Sequence, residues 1–122
     1  MIFSGQIVNS EARPEWILNI TNDAWFGPSS GPRQHLVQAQ LRAIEEGLPL
    51  VRVANTGISA VIDPYGRIID RIELDQSGVI DSPLPKPIAA TVFSAFGQGI
   101  GLGIAILAIL ISTGFSYFQN RH

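Results

Sequence analysis

The chain has 122 residues, 8 Lys and Arg against 10 Asp and Glu, a formal charge of −2, 46% hydrophobic residues and no cysteine. That is one small domain or a piece of a larger one, and without a basic cluster to neutralise phosphates it excludes nucleic acid as a partner. The lack of cysteine excludes a disulfide framework, a thiolate metal site and any thiol nucleophile from this chain itself, and its one lysine, Lys86, sits in a proline-rich stretch.

The opening stretch Ile2–Val8 reads as helix or loop. Trp16 to Thr21 (WILNIT) is a short apolar run bounded by Pro14 and by Asn22-Asp23, which predicts a buried strand. Trp25 to Pro32 crowds two glycines and two prolines beside two large aromatics, so it is a loop. A helix begins near Pro32, capped by Ser30 or Gly31, with Leu36, Val37, Leu41, Ile44 and Leu48 as its apolar stripe and an Arg42–Glu46 pair at i, i+4. Gly47 ends it and Pro49 forbids continuation. Leu50–Ala54 and Ile58–Ile62 read as strands around the tight turn Asn55-Thr56-Gly57. Asp63-Pro64-Tyr65-Gly66 has type I turn chemistry, which returns Arg67–Leu74 as the second arm of a hairpin. The pattern weakens from Ser77, and Pro83, Pro85 and Pro87 mark an extended linker. No internal repeat is visible.

Charge is placed unevenly. Of the 18 Asp, Glu, Lys and Arg residues, 17 lie between Glu11 and Lys86, and the 34 residues from Pro87 to Asn120 carry none. A bilayer core of ~30 Å needs about 20 helical residues, so this segment is expected to span a membrane. The organisation expected is a polar domain over 1–82, a proline-containing linker over 83–94, a transmembrane helix over 95–118 and a short tail over 119–122. A buried helix of a soluble protein is the weaker alternative, because buried helices of that length without charge are rare. Arg121 beyond the last turn fits a cytoplasmic tail. Gly97, Gly99, Gly101 and Gly103 form small-xxx-small pairs that would admit a neighbouring helix; they fail as a dinucleotide loop, since Leu102 stands where a third glycine belongs.

The local chemistry is sparse. His35, Asp23 and several serines invite a Ser-His-Asp triad, but no G-x-S-x-G elbow occurs, and His35 in a first helical turn reads as capping or surface. The two histidines have no carboxylate at metal-ligand spacing, so no metal is expected. Glu45 and Glu46, as helix neighbours, point apart and are expected to be solvated or to form one ion pair. Asn19-Ile20-Thr21 is a glycosylation sequon by accident of an apolar strand. Trp25 and Phe26 lie where α/β proteins place binding loops, with the plainer alternative that one of them packs beneath the loop. Asn55-Thr56-Gly57 could likewise be only a turn.

Together, Asn22-Asp23-Ala24-Trp25-Phe26-Gly27, Gly31-Pro32 with His35, Leu41-Arg42-Ala43-Ile44-Glu45, Asn55-Thr56-Gly57-Ile58-Ser59 and the final hydrophobic segment closely resemble the C-terminal part of the apolipoprotein N-acyltransferase family, within the nitrilase superfamily. The resemblance implies an α/β fold, part of a nitrilase-like α-β-β-α sandwich followed by one C-terminal transmembrane helix. It also implies a bacterial inner-membrane enzyme with its domain on the periplasmic side and its C-terminus in the cytoplasm. The family moves an acyl chain from a phospholipid to the amino group of the diacylglyceryl-cysteine of an apolipoprotein, through a cysteine thioester, with a Glu base and a Lys at the oxyanion. Its partners would be the phospholipid donor, the apolipoprotein acceptor, membrane lipid and the N-terminal part of the same enzyme; no cofactor is expected.

The departure lies in the nucleophile. The family's Cys-Tyr-Glu motif precedes the strand leading to Asn22-Asp23, and this chain has no cysteine. The chain is therefore expected to be a C-terminal piece that begins just after that motif. No catalytic residue carries over, and Lys86 cannot inherit the lysine role from the linker. The positions that match are supporting ones: Trp25 and Phe26 as a wall for the acyl chain or active site, Asn22 and Asp23 at the strand end, Arg42, Glu45 and Asn55 as scaffold of the pocket, and His35 as a further pocket or supporting residue. Half a sandwich leaves one sheet face uncovered, so the chain alone is expected to fold poorly outside a membrane and to be inactive. Two alternatives stand beside this one: the C-terminal part of a soluble nitrilase or amidase, and a non-catalytic membrane-anchored module.

Overall fold

Alternating apolar residues, a turn-rich loop and one well-terminated helix give a β-α-β unit extended by a hairpin. The computed structural model describes residues 8, 12–97 and 99–119, with side chains of the last stretch described at 99 and 101–113. Ile2 to Ile7, Gln98 and Arg121 lie outside the described residues, and with them the readings made of the opening stretch and of the tail. Strand β1 (Ile17–Asn22) is followed by helix α1 (Gly31–Glu46), then β2 (Leu50–Asn55), β3 (Ser59–Ile62) and β4 (Ile68–Ile72). The sheet order is β1-β2-β3-β4. β1 and β2 are parallel, as a helical crossover requires, and β2-β3-β4 is an antiparallel meander.

The register puts Ile17 beside Leu50, Asn19 beside Arg52 and Thr21 beside Ala54. These side chains share the face covered by α1. Leu36, Ala39 and Ala43 of α1 pack there with Leu50, Ile58, Ala60 and Ile62 as the core. The opposite face carries Leu18 and Ile20 beside Val51 and Val53, and Leu18, Ile20 and Val53 are exposed.

Helix α1 departs from the expected stripe. Its buried face is Pro32, Leu36, Ala39, Ala43 and Glu46, and Val37, Leu41 and Ile44 are exposed. Ala39 and Ala43, three and seven residues after Leu36, let the helix lie close on the sheet, and Val37, Leu41 and Ile44 are left on the far side. Leu48 is fully buried, but from the loop after the helix. Ser30 is the N-cap residue without a capping side-chain bond; Ser29 Oγ instead accepts from Gly31 N at 3.1 Å. Gly47 ends α1 in the left-handed region (φ 65°), its N–H bonded to Ala43 and Ile44 carbonyls.

The type I turn forms as its residues dictate: Gly66 N donates to Asp63 O at 2.9 Å, and the Asp63 carboxylate accepts from Tyr65 N, Arg67 N and Arg67 Nε at 2.9, 2.9 and 2.7 Å. Burial pushes the Asp63 carboxyl up, but these donors and the Arg67 charge outweigh it and hold its pKa below the ordinary carboxylate value.

After β4 the chain has no regular structure until α2 (Val92–Phe96), which ends at Gly97 (φ 54°), and α3 (Gly99–Gln119) follows. The linker is fastened at its far end: Ile88 N donates to Gly47 O at 3.0 Å, and Thr91 Oγ1 donates to Glu45 O. Among the described residues no helix is long and apolar enough to cross a membrane. Within α3, Leu102, Ile104, Ile106, Leu107, Ile109, Leu110 and Ile111 are all exposed.

Candidate functional site

The site lies where the parallel strands end, the usual place for binding loops in α/β sheets. Asp23 follows β1 directly, and its N–H donates to Asn55 O at 3.0 Å, prolonging the β1–β2 ladder by one bond. Its side chain then turns inward, fully buried, under the first turn of α1. One carboxylate oxygen accepts from Arg52 Nη2 at 2.7 Å, and the other meets His35 Nδ1 at 2.8 Å. Arg52 is itself fully buried: Nη1 donates to Asn19 Oδ1 at 2.6 Å and Nε to Ile58 O at 3.2 Å. A guanidinium has no acceptor capacity and a carboxylate no donor, so the two satisfy each other and the sequon asparagine completes the set.

The same acceptor-only carboxylate assigns the His35 proton to Nδ1 and leaves Nε2 as the other nitrogen of a side chain that is 29% exposed. No serine or threonine hydroxyl among the described residues hydrogen-bonds to His35; Ser29 Oγ donates to Phe26 O at 2.7 Å. Nor does any group of His, Asp or Glu among them gather as metal ligands. Gly57 is required here, because a Cβ at that position would collide with the Asp23 carboxylate.

The loop beyond Asp23 makes a single 3-10 turn, Ala24–Phe26, with Phe26 N bonded to Asp23 O at 3.0 Å. Its two aromatics part company. The Phe26 ring meets the His35 ring edge-on, centroids 5.6 Å apart at 62°, and lies so close over Gly31 that no side chain fits there. Trp25 is 87% exposed, its ring projecting from the loop. A cavity of about 350 Å³ opens between Asp23, Ala24, Gly27, Pro28 and the segment Thr56, Leu74, Asp75; a second of about 380 Å³ lies between Asn55, Ser59 and Gln76. Thr56 and Asp75 line both. Each holds a left-handed backbone (φ 57° and 58°), and they are joined by Asp75 N to Thr56 O at 3.2 Å. For non-glycine residues that conformation costs of order 1 kcal/mol apiece and is found where a loop is held for a purpose.

Of the residues singled out from sequence, Asn22, Asp23, Trp25, Phe26, His35 and Asn55 come together at this end. Asn22 Oδ1 accepts from Ala24 N and from Asn55 Nδ2, both at 3.1 Å. Arg42 and Glu45 sit about two turns further along α1, paired at 2.8 Å, so the expected Arg42–Glu46 pair is replaced by an i, i+3 one. Glu46 is not solvated: it is fully buried, and among the described residues neither carboxylate oxygen has a hydrogen-bond partner, while Arg13 Nη2 donates to its backbone carbonyl at 2.7 Å. The reading of His35 as a cap or surface residue is likewise overturned by its bond to Asp23. Arg52 is the residue that sequence reasoning missed. Its signal was a lone charge within the apolar strand LVRVA, which can be buried only if a carboxylate meets it.

Residues 3–90 match the family model of the carbon-nitrogen hydrolases. The chain is 56% identical over 110 residues to an apolipoprotein N-acyltransferase of Rhodopseudomonas palustris, covering 90% of this chain and 20% of that protein. It is 50% identical over 111 residues to the protein of the same name in Bradyrhizobium diazoefficiens, covering 91% and 21%. With that of Rickettsia bellii the identity is 45% over 112 residues, covering 91% and 22%. The chain thus spans about a fifth of the length of these curated relatives.

Proposed function

The chain belongs to the carbon-nitrogen hydrolase family, and from that premise we propose that it is the C-terminal portion of an apolipoprotein N-acyltransferase. In that reading a cysteine outside this sequence takes the acyl group from a phospholipid ester, releasing the lysophospholipid alcohol. The resulting thioester is then attacked by the free amine of the lipoprotein's diacylglyceryl-cysteine, which restores the thiol. A Glu base and a Lys at the oxyanion come from outside this sequence as well, because Lys86 is in the linker and the chain has no cysteine. The observation that carries the proposal is the 56% identity to a curated relative of that name, over nine-tenths of this chain.

The geometry supports a supporting role for these residues. Asp23, Arg52 and His35 hold the end of the sheet; Asn22 and Asn55 tie the two strand ends; Trp25 and Phe26 sit on the turn between the cavity-lining residues Ala24 and Gly27 without lining the cavity, and in this reading they offer apolar surface to an acyl chain. Arg42 and Glu45 brace α1. The open sheet face at Leu18, Ile20 and Val53 would take the other half of an α-β-β-α sandwich. No described helix meets the length and apolarity of a span; the placement of α3 (Gly99–Gln119) in the bilayer of the inner membrane is part of the proposal and is supported by the 34 uncharged residues from Pro87 to Asn120 that contain it. The domain then faces the periplasm and Arg121 the cytoplasm.

The test is to join this chain to the preceding portion of the Rhodopseudomonas palustris enzyme and to assay acyl transfer from phospholipid to a diacylglyceryl-cysteine peptide in detergent. Transfer by the joined protein and none by the chain alone is the expected result. Turnover by the chain alone, or release of ammonia from amides in place of acyl transfer, would overturn it.

A further inference from the structure

We infer that His35 is a positioning residue for acyl transfer, which locks the Trp25–Phe26 loop beside the strand-end cavity through Asp23 and Phe26 and thereby sets how well the lipid acyl chain is held. The inference rests on the function proposed above and assigns within it a residue outside the chemical step.

Three observations carry it. The first is the direction of support. Arg52 is anchored at all three nitrogens, by Asp23, Asn19 and the Ile58 carbonyl, so the carboxylate of Asp23 is fixed from below. His35 reaches that fixed carboxylate from α1 and has no other hydrogen-bond partner among the described residues. The ring plane is therefore set by one bond from Nδ1.

The second is what the ring then does. Phe26 rests edge-on against it at 5.6 Å, and Gly31 leaves room for Phe26 to lie flat on the helix start. The loop backbone closes around this contact, with Phe26 N on Asp23 O, Ser29 Oγ on Phe26 O and Gly31 N on Ser29 Oγ. A rotated His35 ring would remove the surface on which Phe26 sits while leaving the Arg52–Asp23 pair intact.

The third is the division between the two aromatics. Phe26 is occupied by its contact with His35, whereas Trp25, its neighbour on the same turn, touches no other ring among the described residues and is 87% exposed. The cavity takes in Ala24 and Gly27 on either side of the two aromatics, with Pro28 and Leu74 as apolar lining and Asp23 and Asp75 as acidic lining; the aromatic rings do not line it, and the exposed Trp25 ring beside these residues is the surface along which an apolar chain would lie. Loss of the anchor lets the loop wander. Weaker holding of the donor lipid is the direct consequence, since remote binding contacts fall on KM when they are made equally in ground and transition states.

Asparagine and glutamine separate positioning from bulk. The Asn side-chain N–H falls near the place of His Nδ1 and can still reach Asp23; that of Gln falls near Nε2 and cannot take the same bond. In the joined acyltransferase described above, His35→Gln, which gives up both the bond to Asp23 and the ring under Phe26, is expected to raise KM for the phospholipid donor about tenfold with a smaller change in kcat; His35→Asn, which keeps the bond but gives up the ring, is expected to raise it only about threefold. Equal KM values in the two variants, or a loss in kcat at unchanged KM, would overturn the inference. Matched melting temperatures of the two variants exclude a purely structural cause; a lower melting temperature for His35→Gln with the same KM would also count against it. Failure of the unsubstituted protein to transfer acyl groups strikes the proposed function itself, and this inference falls with it.

Discussion

The two faces of the sheet are finished to different degrees. Under α1, apolar residues close around one buried polar hub in which the three guanidinium nitrogens of Arg52 and both carboxylate oxygens of Asp23 are satisfied. On the far side, Leu18, Ile20 and Val53 stand in the same parallel register with solvent over them, Ile20 being 72% exposed. Both faces come from the same two strands, residue by residue in alternation. The difference teaches that strand propensity and pairing need no second layer to form, whereas burial does. The covered face is closed around its hub, with the buried Glu46 carboxylate at the far end of α1 without a hydrogen-bond partner among the described residues, and the open face awaits apolar cover.

The comparison breaks most readily at the hub. Arg52→Met strands a buried carboxylate, and the loss in unfolding free energy of the chain in detergent is expected to be about 3–5 kcal/mol, read from a denaturant titration. A double variant that also removes Asp23 should lose less than the two single losses summed; strict additivity would mean that the pair is not coupled. Next in size is Gly57→Ala, whose Cβ meets the Asp23 carboxylate. A cost of about 1–3 kcal/mol is expected, with the Asp23–His35 contact displaced, which the His35 ring resonances would report.

Smaller still is the acid response of the hairpin turn. The Asp63 carboxyl is held below its ordinary pKa in the folded chain, so its contribution is complete above the unfolded value of about 4 and fades as pH falls through the lowered folded value. Asp63→Asn should flatten the acid limb of stability in that window, and an unchanged limb would assign it to other carboxylates. The smallest effect expected is on the open face. Ile20→Lys should change the stability of the chain alone by no more than about 0.5 kcal/mol, while blocking assembly with the rest of a sandwich domain. A large loss in the isolated chain would show that this face is covered from within.

Much of the fold was legible because it is written in punctuation. Pro32, Gly47 and Pro49 bracket α1, and Asp63-Pro64-Tyr65-Gly66 sets the hairpin, so element types and order follow from local chemistry. What was not legible is which way α1 faces. Val37, Leu41 and Ile44 make a stripe as regular as Pro32, Leu36, Ala39 and Ala43, and hydrophobicity alone favours the larger residues. The sheet selects the smaller ones, because close approach of a helix to strands is a matter of volume. The site was half visible for a similar reason. Asp23, Trp25, Phe26 and His35 stand out within thirteen residues, but the bond from Asp23 to Arg52 joins positions 29 apart and appears only when β1 and β2 pair.

The fastening of the linker to the end of α1 has a mechanical consequence. Ile88 is bonded to Gly47 and Thr91 to Glu45, and a side chain at Gly47 would run into Ile88 and Thr91. The proline-containing stretch is therefore not a slack tether from β4 to the terminal helix; its last residues are riveted to the helix that carries His35. Any pull that reaches the end of the linker enters at one end of α1 and is carried along a rod of 16 residues to the aromatic loop at the other, as through a fixed bracket and not a cord.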